Sequence, residues 1–390
     1  MSRVLFVVPP LVGHINPSVS VAAALADLGH EVAWAGHGEV VRPLLPAGAR
    51  LFDLGPARAG DTPEDAERSR RLRGLESLKF LWETLLVPLA RAMRPQVEAA
   101  IAELRPDVVV VDQQAVGGAL AARRQKVPWA TLCTTSAGVT DPLAGLPKVK
   151  AWVAERLAGL EAEAGLSAAA APELSPTCVL VLSTEALIGE AEARALPRHF
   201  RLVGPAFRGR PDATPFPWEA LDRDPARRRV LVSLGTISAD RDGDFYATCA
   251  AALGDSLWQV ILVAPPGALP SPPPNFLVAP RVPQVALLPH LQAVVSHGGH
   301  NTVCEALAHA VPLVVTPIRD DQPVVAEQVT RAGAGVRLRF GRLAPLALRE
   351  AVGRVLEEPA FAAAARRVAE SFARAGGAEA AARAILELSP

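Results

Sequence analysis

One stretch of this 390-residue chain decides its fold: Ser296-His297-Gly298-Gly299-His300-Asn301-Thr302-Val303-Cys304-Glu305. The apolar run before it, 293–295, predicts a buried strand, and the apolar spacing after it predicts a helix. The two glycines allow a ligand to approach the backbone closely, and a helix N-terminus offers N–H groups to an anion. We therefore predict a site for an anion, such as a diphosphate, at the start of this helix. Glu305 follows about two turns along the helix, where its carboxylate can accept hydrogen bonds from ribose hydroxyls.

The same succession of strand and helix occurs along the whole chain. Val-rich strands that alternate with helices predict parallel sheets covered on both faces. The predicted fold is therefore α/β, with two Rossmann-like, doubly wound parallel-sheet domains that face a central cleft. The predicted strands are 4–8, 31–35, 107–111, 129–133, 179–182, 200–203, 229–233, 258–263, 275–279, 293–296 and 313–315. The predicted helical stretches are 17–28, 72–104, 117–124, 149–160, 245–253, 301–309, 324–332, 346–356 and, with a break at the glycine pair, 360–388.

The length and the proline content divide the chain into two domains. A chain of this size exceeds one ordinary domain. The proline-rich segment 208–226 is predicted to link a domain over 1–207 to a second over 227–375. The last segment, 376–390, is predicted to be a helix that packs back on the first domain.

Composition excludes several classes of function. The chain has 40 basic and 40 acidic residues and 5% aromatic residues, which argues against nucleic-acid binding. Its four cysteines are widely spaced, which favours reduced thiols over a disulfide framework or a zinc site and indicates a cytoplasmic protein. No apolar run is long enough to span a membrane, and the short run near the start, which ends in Pro9-Pro10, predicts a strand rather than a signal peptide.

Two polar residues at strand ends in the first half are candidates for acid–base chemistry. His14, in Gly13-His14-Ile15-Asn16-Pro17, follows the first strand, and Asp112 closes the strand 107–111. An imidazole there can take a proton from a hydroxyl, and a carboxylate on its other nitrogen would fix the tautomer. Helix capping by either residue remains an alternative at this point.

Two further segments of the second half follow strands. Ser233-Leu234-Gly235-Thr236 offers hydroxyl and backbone donors to phosphate oxygens. Pro317-Ile318-Arg319-Asp320-Asp321-Gln322 places a carboxylate and an amide side by side, a pair that can bind adjacent sugar hydroxyls. Either segment alone is also typical of an ordinary turn or helix start.

Together these residues resemble the family 1 glycosyltransferases of the two-Rossmann GT-B architecture, above all the bacterial macrolide and natural-product enzymes. The resemblance spans essentially the whole chain, and its most specific part runs over 281–322. It implies an acceptor-binding first domain with His14 as catalytic base and Asp112 as its partner. It also implies a nucleotide-sugar site in the second domain. In that site Val282 and Gln284 would meet the base, Glu305 the ribose, and Asp321 with Gln322 the transferred sugar. The diphosphate would be held by Ser233, Thr236, His297, Gly299, Asn301 and Thr302. Plant members of the family have tryptophan where this chain has His300, so no role is carried over to that residue.

The resemblance implies an inverting transfer of a sugar from a nucleotide diphosphate sugar to a hydroxyl of a hydrophobic acceptor such as a natural-product aglycone. Glu305 suits a ribose diol, which favours a UDP-sugar, while a dTDP-sugar remains possible. No metal or other cofactor is expected, and a homodimer is compatible with the sequence. A carotenoid or lipid glycosyltransferase, a nucleotide-sugar epimerase and a non-catalytic auxiliary binder remain as alternatives. A dehydrogenase is disfavoured because no Gly-x-Gly-x-x-Gly follows the first strand.

Overall fold

The structure is a computed structural model, and it describes residues 1–56, 68, 72, 74–140, 143–207, 214–221, 227–235 and 243–389. Its residues form two compact units. The first unit comprises Met1–Thr184, Glu192–Pro211 and Ala375–Pro390, and the second comprises Glu185–Ala191 and Asp212–Arg374. Most of the predicted linker 208–226 lies outside the described residues.

A seven-stranded parallel sheet forms the centre of the first unit. Its strands are β1 (Arg3–Val7), β2 (Glu31–Gly36), β3 (Arg50–Asp53), β4 (Val108–Asp112), β5 (Trp129–Cys133), β6 (Val179–Val181) and β7 (Phe200–Leu202). Their order is β3-β2-β1-β4-β5-β6-β7, with β1 paired in parallel to both β2 and β4. The direction of the chain order therefore reverses between β1 and β4. At such a switch point the loops that follow the two strands diverge and leave room for a ligand.

Helices cover both faces of this sheet. They are α1 (Val12–Asp27), α2 (Gly38–Val41), α3 (Gly74–Phe80), α4 (Val87–Leu104), α5 (Val116–Gln125) and α6 (Pro147–Glu163), with a π-helical turn at Leu81–Leu86. Alternate residues of a strand point to opposite faces. Accordingly Phe6 packs in a core with Val19 of α1, whereas Val7 packs in a different core with Met93 of α4. Helices therefore pack against both faces of β1, one on each side of the sheet.

The second unit contains a six-stranded parallel sheet. Its strands are β8 (Arg229–Ser233), β9 (Gln259–Val263), β10 (Phe276–Ala279), β11 (Ala293–Ser296), β12 (Leu313–Val315) and β13 (Gly335–Arg337). The order β10-β9-β8-β11-β12-β13 reverses between β8 and β11, as in a dinucleotide-binding sheet. The remaining helices are α7 (Glu185–Ile188), α8 (Glu190–Ala195), α9 (Trp218–Leu221), α10 (Gly243–Leu253), α11 (Gln284–Leu287), α12 (His300–Ala308), α13 (Gln322–Arg331), α14 (Pro345–Glu357), α15 (Pro359–Ala375) and α16 (Gly377–Leu386). The predicted pair of doubly wound parallel sheets is confirmed.

The C-terminal helix α16 belongs to the first unit. Its residues Ala381 and Ile385 are fully buried in the same core as Val19 and Leu25 of α1. The chain enters this helix through Gly377, whose N–H donates to the Val203 carbonyl at 2.6 Å. The helix that follows β1 is therefore covered by the last helix of the chain.

Some bounds differ from the sequence predictions. Helix α1 begins at Val12 rather than at residue 17, so His14 lies in its first turn and Pro17 in its second. Strands β3 and β13 were not predicted because each is short, lies at a sheet edge and has exposed residues that interrupt the apolar run. The segment Glu185–Ala191 was expected in the first domain but groups with the second unit.

Among the described residues, no helix is both long enough and apolar enough to cross a membrane.

Candidate active site

The carboxyl ends of β1 and β4 bring His14 and Asp112 together. His14 Nδ1 lies 2.9 Å from each carboxylate oxygen of Asp112. The Asp112 side chain is fully buried, whereas 15% of the His14 side chain is exposed. The two strands are neighbours in the sheet, so residues that are 98 positions apart in sequence meet at the switch point of the first unit. A carboxylate on Nδ1 favours the tautomer that carries its lone pair on Nε2.

The structure adds Thr134 to this pair. Thr134 is buried and directly follows β5, the strand next to β4. Its Oγ1 lies 2.8 Å from His14 Nδ1 and donates to Asp112 Oδ2 at 2.9 Å. Thr134 was not among the residues identified from the sequence. A polar residue at the end of the neighbouring strand was the available signal, because the same feature identified Asp112.

The surroundings of Asp112 keep the carboxylate hydrogen-bonded. Its Oδ1 accepts the Gln114 N–H at 2.8 Å, in addition to the contacts with His14 and Thr134. The neighbouring Cys133 is fully buried, and burial, followed by the charge of Asp112, raises the pKa of its thiol. Cys133 is therefore an uncharged part of the core rather than a nucleophile.

In the second unit, His297 lies at the corresponding switch point between β8 and β11. It follows β11 directly, and Ser233 ends the neighbouring strand β8. His297 Nδ1 lies 3.4 Å from the Ser296 hydroxyl, and the ring also makes a hydrogen bond with the Ser233 backbone. Thr236, predicted for the same site, lies outside the described residues.

Two glycines leave room for the His297 ring. A Cβ atom at Gly235 would lie 2.6 Å from His297 Cε1, and a Cβ atom at Gly299 would lie 2.6 Å from His297 Nε2. Gly235 has a φ of +71°, whereas Gly299, the N-cap of α12, has an ordinary extended backbone. Both positions need glycine because the imidazole occupies the space that a side chain would take.

Burial lowers the pKa of His297 from 6.5 to about 4, and the nearby Asp321 carboxylate and the Ser233 hydrogen bond offset only part of this effect. The ring is therefore neutral near pH 7. A neutral imidazole donates one hydrogen bond without adding a charge.

The first turn of α12 surrounds this histidine. Asn301 and Thr302 are partly buried in that turn, where the helix N–H groups have no intrahelical acceptors. His300 points elsewhere: it is buried, and its Nε2 lies 3.4 Å from Cys304 Sγ. The predicted anion site at this helix start therefore does not depend on His300.

Glu305 and Gln284, predicted to contact different parts of one nucleotide, contact each other. Gln284 Nε2 donates to Glu305 Oε2 at 2.7 Å, and Glu305 is 5% exposed. Val282, two residues before Gln284, packs against the core of the second unit that contains Val303 of α12. These three residues therefore form one patch along α12 and around the start of α11.

The loop after β12 brings Asp321 and Gln322 to the start of α13. Gln322 is buried, and its side-chain oxygen accepts the N–H groups of Ile318 at 2.9 Å and Arg319 at 3.1 Å. The Gln322 oxygen therefore holds the loop in its conformation. The Gln322 amide nitrogen is the group suited to bind a ligand hydroxyl. Asp321 is partly buried and lies close enough to His297 to influence its pKa.

Histidine, cysteine, aspartate and glutamate side chains do not assemble, within the part of the chain that the structure describes, into a group of three or more able to hold a metal ion.

The lowered pKa of His297 predicts a stability change in acid. The unfolded chain binds a proton at this histidine near pH 6.5, but the folded chain does so only near pH 4. The unfolded state therefore holds more protons between these values, and the free energy of unfolding falls as the pH drops. Between pH 7 and pH 5 we expect wild type to lose roughly 2 kcal/mol more than His297→Gln, measured by urea unfolding. Equal losses of unfolding free energy in wild type and His297→Gln would contradict the burial of a neutral His297 ring.

Similarity to known proteins covers both units. Residues 260–388 match the model of the EryCIII-like domain, described as the C-terminal domain of erythromycin biosynthesis protein CIII-like proteins. Demethyllactenocin mycarosyltransferase of Streptomyces fradiae is 31% identical over 393 residues, which cover 97% of this chain and 84% of that protein. NDP-glycosyltransferase YjiC of Bacillus subtilis (strain 168) is 29% identical over 384 residues, covering 96% and 94% of the two chains.

A solved structure shows the same fold over its full length. The glycotransferase of kitacinnamycin aligns with a TM-score of 0.78 at 26% identity, and the alignment covers 100% of this chain and 99% of that one. The similarity in sequence and the similarity in structure therefore both extend over the two sheets.

Proposed function

The chain belongs to the family 1 natural-product glycosyltransferases of GT-B fold, and from this premise we propose that it transfers a sugar, with inversion, from a nucleotide diphosphate sugar to a hydroxyl of a hydrophobic small molecule. The observation that carries the proposal is the contact between His14 and the buried Asp112 at the end of two central strands. Such a pair is suited to remove a proton from a hydroxyl nucleophile.

His14 acts as the general base in this proposal. Its Nε2 accepts the proton of the acceptor hydroxyl while the oxygen forms a bond to the anomeric carbon. The bond from that carbon to the diphosphate oxygen breaks, and its electron pair leaves with the nucleoside diphosphate. Because the attack comes from the face opposite the leaving group, the anomeric configuration inverts. Asp112 orients the imidazole and stabilises the positive charge that it gains.

The leaving diphosphate is assigned to the residues around the start of α12. His297, Ser233 and the backbone at Gly299 supply donors there, with Asn301 and Thr302 in the first helical turn. Support comes from the neutral, partly buried His297 and from the helix N-terminus, whose N–H groups and dipole favour an anion. Thr236 keeps its predicted role in the diphosphate contact.

The nucleoside is assigned to the patch of Val282, Gln284 and Glu305. The buried Glu305 carboxylate suits ribose hydroxyls, which favours a UDP-sugar over a dTDP-sugar because uridine offers two hydroxyls and thymidine one. Asp321 and the amide nitrogen of Gln322 are assigned to the transferred sugar. No resident cofactor is proposed, since the nucleotide sugar is itself the donor substrate.

The acceptor is proposed to be an apolar aglycone bound beside the first sheet. The loop after β5 and helix α6 contribute Leu143, Leu146 and Trp152, of which Leu146 is 42% exposed. The names of the relatives support a natural-product acceptor, and a carotenoid or lipid acceptor would use the same chemistry.

Gly299→Ala is expected to weaken donor binding about tenfold or more. The new methyl group would displace the His297 ring, although the backbone at Gly299 tolerates alanine. Gly267→Ala is the matched control, because Gly267 has a φ of +82° but open space around it. The control therefore carries backbone strain without a clash, and Gly299→Ala carries a clash without strain. Calorimetric titration measures the UDP affinity of both variants, and equal affinities would argue against a diphosphate site at His297.

A donor screen followed by product analysis tests the function itself. We expect a UDP-sugar or a dTDP-sugar to raise the melting temperature, because a ligand that binds the folded state stabilises it by mass action. The best donor is then incubated with a panel of hydroxylated aromatic and polyketide acceptors, and products are identified by mass spectrometry and by the anomeric proton coupling in NMR. A glycoside with inverted configuration supports the proposal. An isomerised sugar nucleotide would instead indicate an epimerase, and donor binding with no product from any acceptor would favour an auxiliary binder.

A further inference from the structure

Three neighbouring strands of the first sheet each contribute one residue to the cluster around His14. The order β1-β4-β5 places the residues that follow these strands at one edge of the sheet. His14 follows β1, Asp112 ends β4, and Thr134 follows β5. Asp112 and Thr134 are 1% and 3% exposed, so water does not compete freely for their hydrogen bonds.

The distances in this cluster close a triangle. Thr134 Oγ1 lies 2.8 Å from His14 Nδ1 and 2.9 Å from Asp112 Oδ2, and Nδ1 lies 2.9 Å from that same carboxylate oxygen. Two protons must serve these three contacts, because the ionised carboxylate only accepts, while a hydroxyl and a neutral imidazole carry one each.

One assignment of these protons satisfies every contact. Thr134 donates its proton to Asp112, and the Nδ1–H of His14 points between the carboxylate and the Thr134 oxygen. In the opposite assignment Thr134 would donate to a bare Nδ1, and the lone pair on Nδ1 would face the Asp112 carboxylate at 2.9 Å with no proton between them. That arrangement is repulsive in a buried site.

Asp112 is also held from two sides. Thr134 donates to Oδ2, and the Gln114 N–H donates to Oδ1 at 2.8 Å. The two donors fix the plane of the carboxylate, and this plane determines whether both oxygens can face the imidazole.

We propose that Thr134 is a positioning residue of the catalytic site: its hydroxyl holds the Asp112 carboxylate and the Nδ1–H tautomer of His14, so that the Nε2 lone pair faces the acceptor hydroxyl. This inference rests on the proposed role of His14 as base. Thr134 itself forms no bond with the reacting atoms.

The test compares Thr134→Val, which keeps the shape but removes the hydroxyl, with Thr134→Ser, which retains it. Thr131→Val is the control, because Thr131 is a buried threonine of β5, the strand that Thr134 follows, and its hydroxyl instead accepts the Ser175 N–H at 2.7 Å. All proteins are assayed with UDP-glucose or dTDP-glucose and 4-methylumbelliferone, whose fluorescence changes on glycosylation. Selective nitrogen-15 labelling of the 8 histidines reports the His14 tautomer by NMR, and the His14→Gln spectrum identifies its signals.

We expect Thr134→Val to lower kcat roughly 10- to 100-fold, a smaller loss than a wrong tautomer alone produces in a serine protease. The donor KM stays within about twofold, and the His14 signals change from the Nδ1–H form to a mixture of tautomers. Thr134→Ser restores both properties, and Thr131→Val alters neither. If Thr134→Val fails to fold, Thr134→Ala replaces it in the same comparison.

Two results would overturn the inference. Wild-type kcat and tautomer in Thr134→Val would mean that the hydroxyl positions nothing. A loss of kcat with an unchanged tautomer would mean that Thr134 contacts a substrate instead. The failure of the proposed function is distinguishable from both, because wild type would then form no glycoside or His14→Gln would keep its activity, whatever the NMR spectrum of Thr134→Val shows.

Discussion

We expect His14→Ala to lower kcat by about 10²–10⁴-fold while the affinity for the donor stays close to that of wild type. The loss corresponds to removal of a positioned general base. Donor affinity should remain because the nucleotide is assigned to residues of the second unit, whereas His14 belongs to the first. Steady-state kinetics with the best donor and acceptor, together with calorimetric titration of UDP, measures the two quantities separately.

His30→Ala provides the control for this variant. His30 lies at the opposite, amino-terminal edge of the same sheet, where its Nδ1 accepts the Ser2 N–H at 3.0 Å. Its replacement removes a histidine and one hydrogen bond without reaching the carboxyl edge. Activity of His14→Ala within about threefold of that of His30→Ala would remove His14 from the mechanism, since a general base contributes far more than that factor.

His297→Gln is expected to reduce kcat about 10²–10³-fold and to weaken the binding of UDP. In the proposed mechanism the imidazole donates a hydrogen bond to the diphosphate as its charge develops, and loss of one such donor has this magnitude in enzymes that stabilise an oxyanion. Glutamine retains a donor but not the flat ring that fits between Gly235 and Gly299. Single-turnover kinetics separates the chemical step from donor binding, and both should be affected.

His290→Gln is the matched control in the second unit. His290 is exposed and its ring lies 5.6 Å from that of Trp218, away from the start of α12. If His297→Gln and His290→Gln have the same kcat and the same UDP affinity, the diphosphate does not lie at His297, and the assignment of the neighbouring Ser233 and Gly299 fails with it.

Most of the fold could be predicted from the sequence because buried parallel strands are continuous apolar runs. The predicted bounds of β5, β8, β11 and β12 equal those in the structure. Strand ends could then be located, and with them His14, Asp112, Ser233 and His297. The two edge strands β3 and β13 were missed because a short strand with exposed residues lacks that apolar run.

The hydrogen bonds within the sites could not be predicted in the same way. The contact between Gln284 and Glu305 depends on how α11 packs beside α12, and no periodic pattern specifies it. Gln322 was expected to contact the transferred sugar, but the sequence did not indicate that its side-chain oxygen accepts two backbone N–H groups of its own loop. Thr134 could be assigned to the site only once β4 and β5 were known to be neighbours in the sheet. Such contacts join residues far apart in sequence, so they become visible only once the topology is known.

The return of the last helix to the first unit affects how hybrid enzymes should be built. The family model for the C-terminal domain spans 260–388 and so includes α16, which packs on α1, the helix that carries His14. A hybrid that takes its entire second half from a relative would cover α1 with the α16 of that relative. Val19 and Leu25 would then pack against a surface that does not match them. A graft that exchanges only the second unit, Glu185–Ala191 and Asp212–Arg374, keeps Ala381 and Ile385 with their native partners. Gene fusions designed to recombine donor and acceptor preferences should therefore place their last junction near residue 374 rather than at the chain terminus.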